Sequence, residues 1–139
     1  MKKLIKKIIR EELEDDLEWV RDNSISGKEL RELILKTKAT SIPFNEVLDD
    51  LNLRGTPIED LGNLQNVGGS LYLGESKIKD LGNLQSVGGG LYLWRTKIKD
   101  LGNLQSVGGY LGLGGTPLAE KHSEEEIRQM VEVGGNIYL

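Results

Sequence analysis

From residue 51 the chain alternates leucines with polar residues in a pattern that returns every twenty positions. Residues 51–70 read LNLRGTPIEDLGNLQNVGGS, residues 71–90 LYLGESKIKDLGNLQSVGGG and residues 91–110 LYLWRTKIKDLGNLQSVGGY. A fourth copy opens as LGLGGTPLAE at residue 111 and then changes. A fixed period of about 20 residues with leucines in register predicts a solenoid. In each L-x-L triplet (Leu51/Leu53, Leu71/Leu73, Leu91/Leu93, Leu111/Leu113) the period is two. Both leucines of a triplet therefore share one face of a short strand, with the middle residue on the other. Ile58, Ile78, Ile98 and Leu118 then return to the inside, followed by further leucines and by Val67, Val87 and Val107. One copy cannot bury that many aliphatic side chains alone, so the copies must stack.

Between these apolar positions lie residues that bend the chain. The glycine pairs Gly68-Gly69, Gly88-Gly89 and Gly108-Gly109 precede the strands, where positive φ would be cheap for glycine. Thr56, Ser76, Thr96 and Thr116 follow the strands, where a hydroxyl can satisfy backbone groups at the bend. Asn63, Asn83 and Asn103 predict an asparagine ladder capping backbone groups, and Asp60, Asp80 and Asp100 read as turn residues.

The flanks are helical in pattern. Residues 1–22 carry Leu4, Ile5, Ile8, Ile9, Leu13, Leu17 and Val20 at three- and four-residue steps, which predicts an amphipathic helix. Residues 23–27 are a break. Ser26 with Glu29 is a capping-box pattern that starts a second helix over about residues 27–38, with Leu30, Leu33 and Ile34 on its apolar face. Val47 aligns with Val67, so the solenoid opens with a half repeat. The chain is divided into a helical N-terminal cap region, residues 1–46, and a solenoid with its C-terminal cap, residues 47–139. Ser123 with Glu126 is a second capping box and predicts a helix ended by Gly134, with Ile127, Met130 and Val131 as its apolar face. The closing phrase VGGNIYL repeats the strand phrase, so residues 137–139 are a fifth strand.

These repeats resemble leucine-rich repeats, in a short form with threonine where many members carry asparagine. The phrase NLQSVGGxLYL is also similar to the repeats of receptor L domains. The resemblance covers residues 47–139. It implies an α+β fold: a leucine-rich-repeat solenoid with one short-stranded parallel sheet on a concave face, irregular or short helical turns on the convex face, a helical N-terminal cap and a C-terminal capping helix plus final strand. It also implies that the chain binds other molecules, mostly proteins.

Composition narrows the function. Cysteine is absent, so no disulfide frame or thiolate chemistry is available, which fits a cytoplasmic setting. No run of 18 apolar residues occurs, so no transmembrane segment is expected. Residues 1–45 hold ten Lys/Arg and nine Asp/Glu, whereas residues 46–139 hold eight and thirteen. An acidic solenoid argues against nucleic acid as a partner. His122 is the sole histidine, and no nucleophile elbow, metal-ligand spacing or phosphate loop is present. The expectation is accordingly a non-enzymatic chain with no cofactor and no metal. Glu124, Glu125 and Glu126 are explained by a helix start and a solvated face.

The positions freed from packing gather the aromatic residues. Tyr72, Tyr92 and Tyr138 are middle strand residues, Tyr110 precedes a strand, and Arg54, Trp94 and Arg95 follow strands. Those seven residues are the candidate protein-binding site, with Tyr92, Trp94 and Tyr110 expected to bound a shallow pocket floored by glycine. Such composition is that of a hot spot, so the expected function is docking of a partner protein, as adaptor or inhibitor, bacterial or phage-encoded. A structural, self-assembling protein is the alternative, since an unblocked edge strand at residues 137–139 predicts a weak homodimer. A nucleic-acid regulator acting through the N-terminal helices is the third. Lys77, Lys79, Lys97 and Lys99 form two short basic columns, read as a solvated edge or as a contact area for an acidic partner.

Overall fold

The computed structural model describes residues 24–139, so the helix expected over residues 1–22 lies outside the described residues. The order of elements is β1 (Ser24–Ile25), α1 (Gly27–Thr37), β2 (Glu46–Val47), β3 (Leu51–Asn52), β4 (Asn66–Val67), β5 (Leu71–Tyr72), β6 (Ser86–Val87), β7 (Leu91–Tyr92), β8 (Ser106–Val107), β9 (Leu111–Gly112), α2 (Pro117–Lys121), α3 (Glu124–Met130), β10 (Glu132–Val133) and β11 (Ile137–Tyr138).

The strands build two parallel sheets, not the single one expected. The predicted triplets form the five-stranded sheet β11-β9-β7-β5-β3, and a second, six-stranded sheet runs β1-β2-β4-β6-β8-β10. From β2 to β9 neighbouring strands keep a twenty-residue register, Val67 facing Val87 and Tyr72 facing Tyr92, while β10 and β11 stand 26 residues beyond their partners, Glu132 facing Ser106 and Ile137 facing Leu111. The arrangement is compatible with a repeat solenoid. The second sheet exists because the residues before each glycine pair are also extended and stack on their counterparts, Asn66 on Ser86 and Ser86 on Ser106. Each such strand turns a single valine inward, with glutamine two residues before it and glycine two residues after, so no apolar alternation reveals it.

The first coil turns from one sheet to the other at Leu48-Asp49, and each later coil turns at a glycine pair. These glycines do not have positive φ; the positive-φ glycines are Gly55, Gly62, Gly82, Gly102 and Gly115. The reason for glycine at the corner is contact between coils. A Cβ on Gly88 would stand 2.3 Å from the Gly68 carbonyl oxygen, and one on Gly108 would stand 2.1 Å from that of Gly88. The backbone of one coil rests directly on the next, and a methyl group has no room.

The apolar positions meet inside. Leu51, Leu53, Ile58, Leu61 and Leu64 and their counterparts through Leu113 are almost wholly buried. Full burial of each aliphatic side chain contributes about 1.5–3 kcal/mol. The polar turn residues close the loops. Asp60, Asp80 and Asp100 accept from the N–H of Gly62, Gly82 and Gly102 at 2.8–2.9 Å. Asn83 and Asn103 donate to the Gly62 and Gly82 carbonyls of the preceding coil at 3.2 and 3.3 Å, which is the expected ladder. The hydroxyls of Thr56, Thr96 and Thr116 donate to the carbonyls of Leu53, Leu93 and Leu113.

At each end of the stack an arginine covers the edge of one sheet. In α1 the buried residues are Gly27, Leu30, Leu33 and Ile34, and Ser26 caps the helix by accepting from the Glu29 N–H. Arg31 donates to the Asn52 and Arg54 carbonyls at 2.7 and 2.8 Å, so α1 satisfies the otherwise open edge of β3. At the other end α3 buries Ile127, and Arg128 donates to the Val133 and Gly135 carbonyls at 3.2 and 3.0 Å. The Ser123–Glu126 capping box is formed. Two expectations fail here: Met130 is 45% exposed, and α3 ends at Met130 because Glu132–Val133 is drawn into the ladder beside β8. Among the described residues, no helix is long and apolar enough to cross a membrane.

Two substitutions separate the forces that hold the coils. Leu84 is fully buried in a central coil, and Leu84→Ala should lower unfolding free energy in denaturant melts by about 2–5 kcal/mol. Gly88→Ala should cost about 2 kcal/mol or more, although it adds an apolar group, because backbone cannot retreat as a side chain can.

Candidate functional site

The outer face of the five-stranded sheet carries the aromatic residues because the inner face is committed to leucine. Parallel register brings Tyr72 directly beside Tyr92. Their rings stack with centroids 5.0 Å apart and an interplanar angle of 8°. Trp94 continues the row, its ring tilted 54° to that of Tyr92 at 5.1 Å. Tyr110 meets Tyr138 edge-on at 5.8 Å and 64°. Aromatic pairs of these kinds contribute about 0.5–1.5 kcal/mol beyond their burial. Asn136 also donates to the Tyr138 hydroxyl at 3.4 Å.

The glycine-floored pocket is not formed, and its absence has a steric cause. A Cβ on Gly74 would lie 2.6 Å from the Trp94 Nε1, and one on Gly112 would lie 2.8 Å from the six-membered ring of the same indole. A Cβ on Gly90 would lie 2.6 Å from the Tyr92 hydroxyl. The glycines are the seats of the rings: Trp94 spans both neighbouring coils, and Tyr92 covers Gly90. Gly74, Gly90 and Gly112 are buried as a result, while Tyr72, Tyr92 and Trp94 are half-buried. Tyr110 and Tyr138 project further, 47% and 50% exposed. The surface is a low aromatic ridge with a more open pair beside it.

The two arginines stand at the end of this ridge. Arg54 and Arg95 both approach Glu75, at 3.7 and 3.9 Å. All three side chains are more than half exposed, so these pairs contribute little to stability. Sequence reasoning missed Glu75. Its signal lay in the repeat, since Glu75 and Arg95 occupy the place of Gly55 and Gly115. All four have a left-handed backbone, with φ of 63° at Glu75 and 60° at Arg95. A side chain there costs about 1–2 kcal/mol relative to glycine, a cost of the kind that clusters at functional sites.

Burial holds the Tyr92 phenol above its ordinary pKa, with smaller contributions from Tyr72, Tyr110 and Tyr138. His122, Glu124 and Glu126 make their contacts within the C-terminal cap. His122 meets Glu126 at 3.1 Å, and the Glu126 carboxyl is pulled below its ordinary pKa by that contact first and by Ser123 next. Glu124 pairs with Arg128 at 3.3 Å.

Comparison with protein-family models, with curated proteins and with solved structures returned no match. The architecture and the aromatic surface are therefore read from this chain alone.

The phenol shift has a measurable consequence. The unfolded chain loses this proton at about pH 10.0 and the folded chain only above it. Stability from this group is thus complete below that pH and is lost as pH rises through the folded value. Tyrosinate absorbance should show a component ionising above the ordinary value, and Tyr92→Phe should remove it.

Proposed function

We propose that this chain is a non-enzymatic binding module of the leucine-rich-repeat kind that docks a partner protein on the outer face of its five-stranded sheet. The observation that carries the reading is the continuous Tyr72–Tyr92–Trp94 ridge, flanked by the Tyr110–Tyr138 pair and by Arg54 and Arg95. Tyr, Trp and Arg are the residue types on which binding energy concentrates. Rings already seated on glycine lose little conformational freedom on binding, which favours affinity. The mechanism is steric: a rigid sheet blocks, recruits or positions its partner, as an inhibitor or adaptor in the cytoplasm.

Self-assembly is the second reading, and one observation favours it. Among the described residues strand β11 pairs with β9 alone, and Tyr138 and Leu139 are each 50% exposed. Arg31 covers carbonyls at the opposite end of that sheet. A weak homodimer would use the β11 edge. Sedimentation showing a monomer at high concentration, unchanged by deleting residues 137–139, would remove it.

Affinity capture from the native host, followed by titration with the purified partner, tests the primary reading. Trp94→Ala should cost stability only about 1 kcal/mol, the scale of an aromatic pair. It should weaken partner binding at least about thirtyfold, equivalent to about 2 kcal/mol. A variant that unfolds would show the indole to be core, and a variant that binds normally would move the contact elsewhere.

A further inference from the structure

Beyond the aromatic face, the segment that follows each strand in the two central coils builds a basic groove. Ile78 and Ile98 are fully buried. Their neighbours Lys77, Lys79, Lys97 and Lys99 are exposed, so two lysines flank each buried isoleucine. Residues two apart along a chain lie at most about 7 Å apart, and stacked coils lie about 4.8 Å apart. The groove has a volume of about 690 Å³ and is lined by Lys77, Lys79, Lys97, Arg95 and Ser76, with Glu59 and Glu75 also on its wall. Lys79, Lys97 and Lys99 line its continuation.

Three observations mark this cluster as more than a solvated edge. First, none of the four lysines has an ion-pair partner among the described residues. The Asp80 and Asp100 carboxylates that interleave with them in sequence accept from the N–H of Gly82 and Gly102. Second, like charges directly across neighbouring strands oppose folding, and the flanking coils avoid them, carrying Pro57 and Glu59 on one side and Pro117 and Ala119 on the other. Third, the Ser76 hydroxyl is buried with no hydrogen-bond partner, whereas its counterparts Thr56, Thr96 and Thr116 donate to strand carbonyls. A donor is left over where positive charge accumulates.

We propose that this groove binds an extended acidic peptide segment. Side chains two apart on an extended chain share a face and a spacing of about 6.6 Å. Carboxylates at alternate positions would therefore meet Lys77 and Lys79 in turn, each also within reach of Lys97 or Lys99 from the adjacent coil. Arg95 stands at the end nearest the aromatic ridge. Nucleic acid fits less well, because the lysine lattice is two coils wide and the whole chain has a net charge of −4.

The test uses the full chain and a fluorescently labelled peptide of alternating glutamate and glycine, followed by anisotropy at low salt. The expected result is saturable binding that weakens as salt rises, at least tenfold weaker in a Lys77→Gln/Lys97→Gln variant. A Lys28→Gln/Lys121→Gln variant, which removes the same charge elsewhere, should bind as the parent does. Trp94→Ala should also leave peptide binding unchanged, so failure of this groove and failure of the aromatic surface are distinguishable. No binding, or equal loss in both lysine variants, overturns the proposal. So does displacement of the peptide by inorganic phosphate or by a single-stranded oligonucleotide at the same charge concentration, since that marks a site for any polyanion.

Discussion

The structure depends on the contact of one coil's carbonyl with the next coil's glycine. At each corner between the sheets, Gly88 lies on Gly68 and Gly108 on Gly88, too close for a Cβ. The twenty-residue register of the glycine-bearing coils fits this contact, because most slips would place a side chain against that carbonyl. Register in turn stacks leucine on leucine inside, and the same backbone bonds recur from coil to coil, as Gly88 N–H to Val67 carbonyl and Gly108 N–H to Val87 carbonyl at 2.8 and 2.9 Å. Hydrophobic burial supplies the driving force, but the glycine contact decides the spacing and direction in which it is realised.

A stack of identical coils has an end problem, and both solutions use the same chemistry. Each end would leave strand carbonyls without partners, which is costly when sheltered from water and invites pairing with other chains when exposed. Arg31 and Arg128, from helices at opposite ends, each donate to two such carbonyls. The guanidinium suits the task because its several donors are held in a fixed plane. The caps therefore do more than cover leucines; they terminate a hydrogen-bond ladder.

The outer surface varies from coil to coil without disturbing the repeat. Inner positions are nearly invariant from coil to coil, whereas outer positions differ. Where a ring is large, its neighbours are reduced to glycine, as Gly74 and Gly112 are beneath Trp94. Where glycine would be comfortable, Glu75 and Arg95 are retained in left-handed backbone. The two departures adjoin through Arg95, which lines the basic groove and faces Glu75 at the end of the ridge.

The repeat determined much of this protein locally. Its period, its inward leucines, the five strands of one sheet, the threonine and aspartate turns and the second capping box all follow from short-range rules applied to residues near in sequence. The aromatic residues were legible as a group because a twenty-residue register translates spacing along the chain into adjacency across a sheet. Only tertiary structure decided the rest. The second sheet was hidden because each of its strands turns only one apolar residue inward, as Val67 and Val87 do, and gains its bonds from other coils. Glycine at the corners looked like a conformational requirement and proved to be a contact requirement, which exists only once coils touch. The expected pocket vanished for the same reason: a glycine gap has meaning only when the ring that fills it, two residues or one coil away, has been placed.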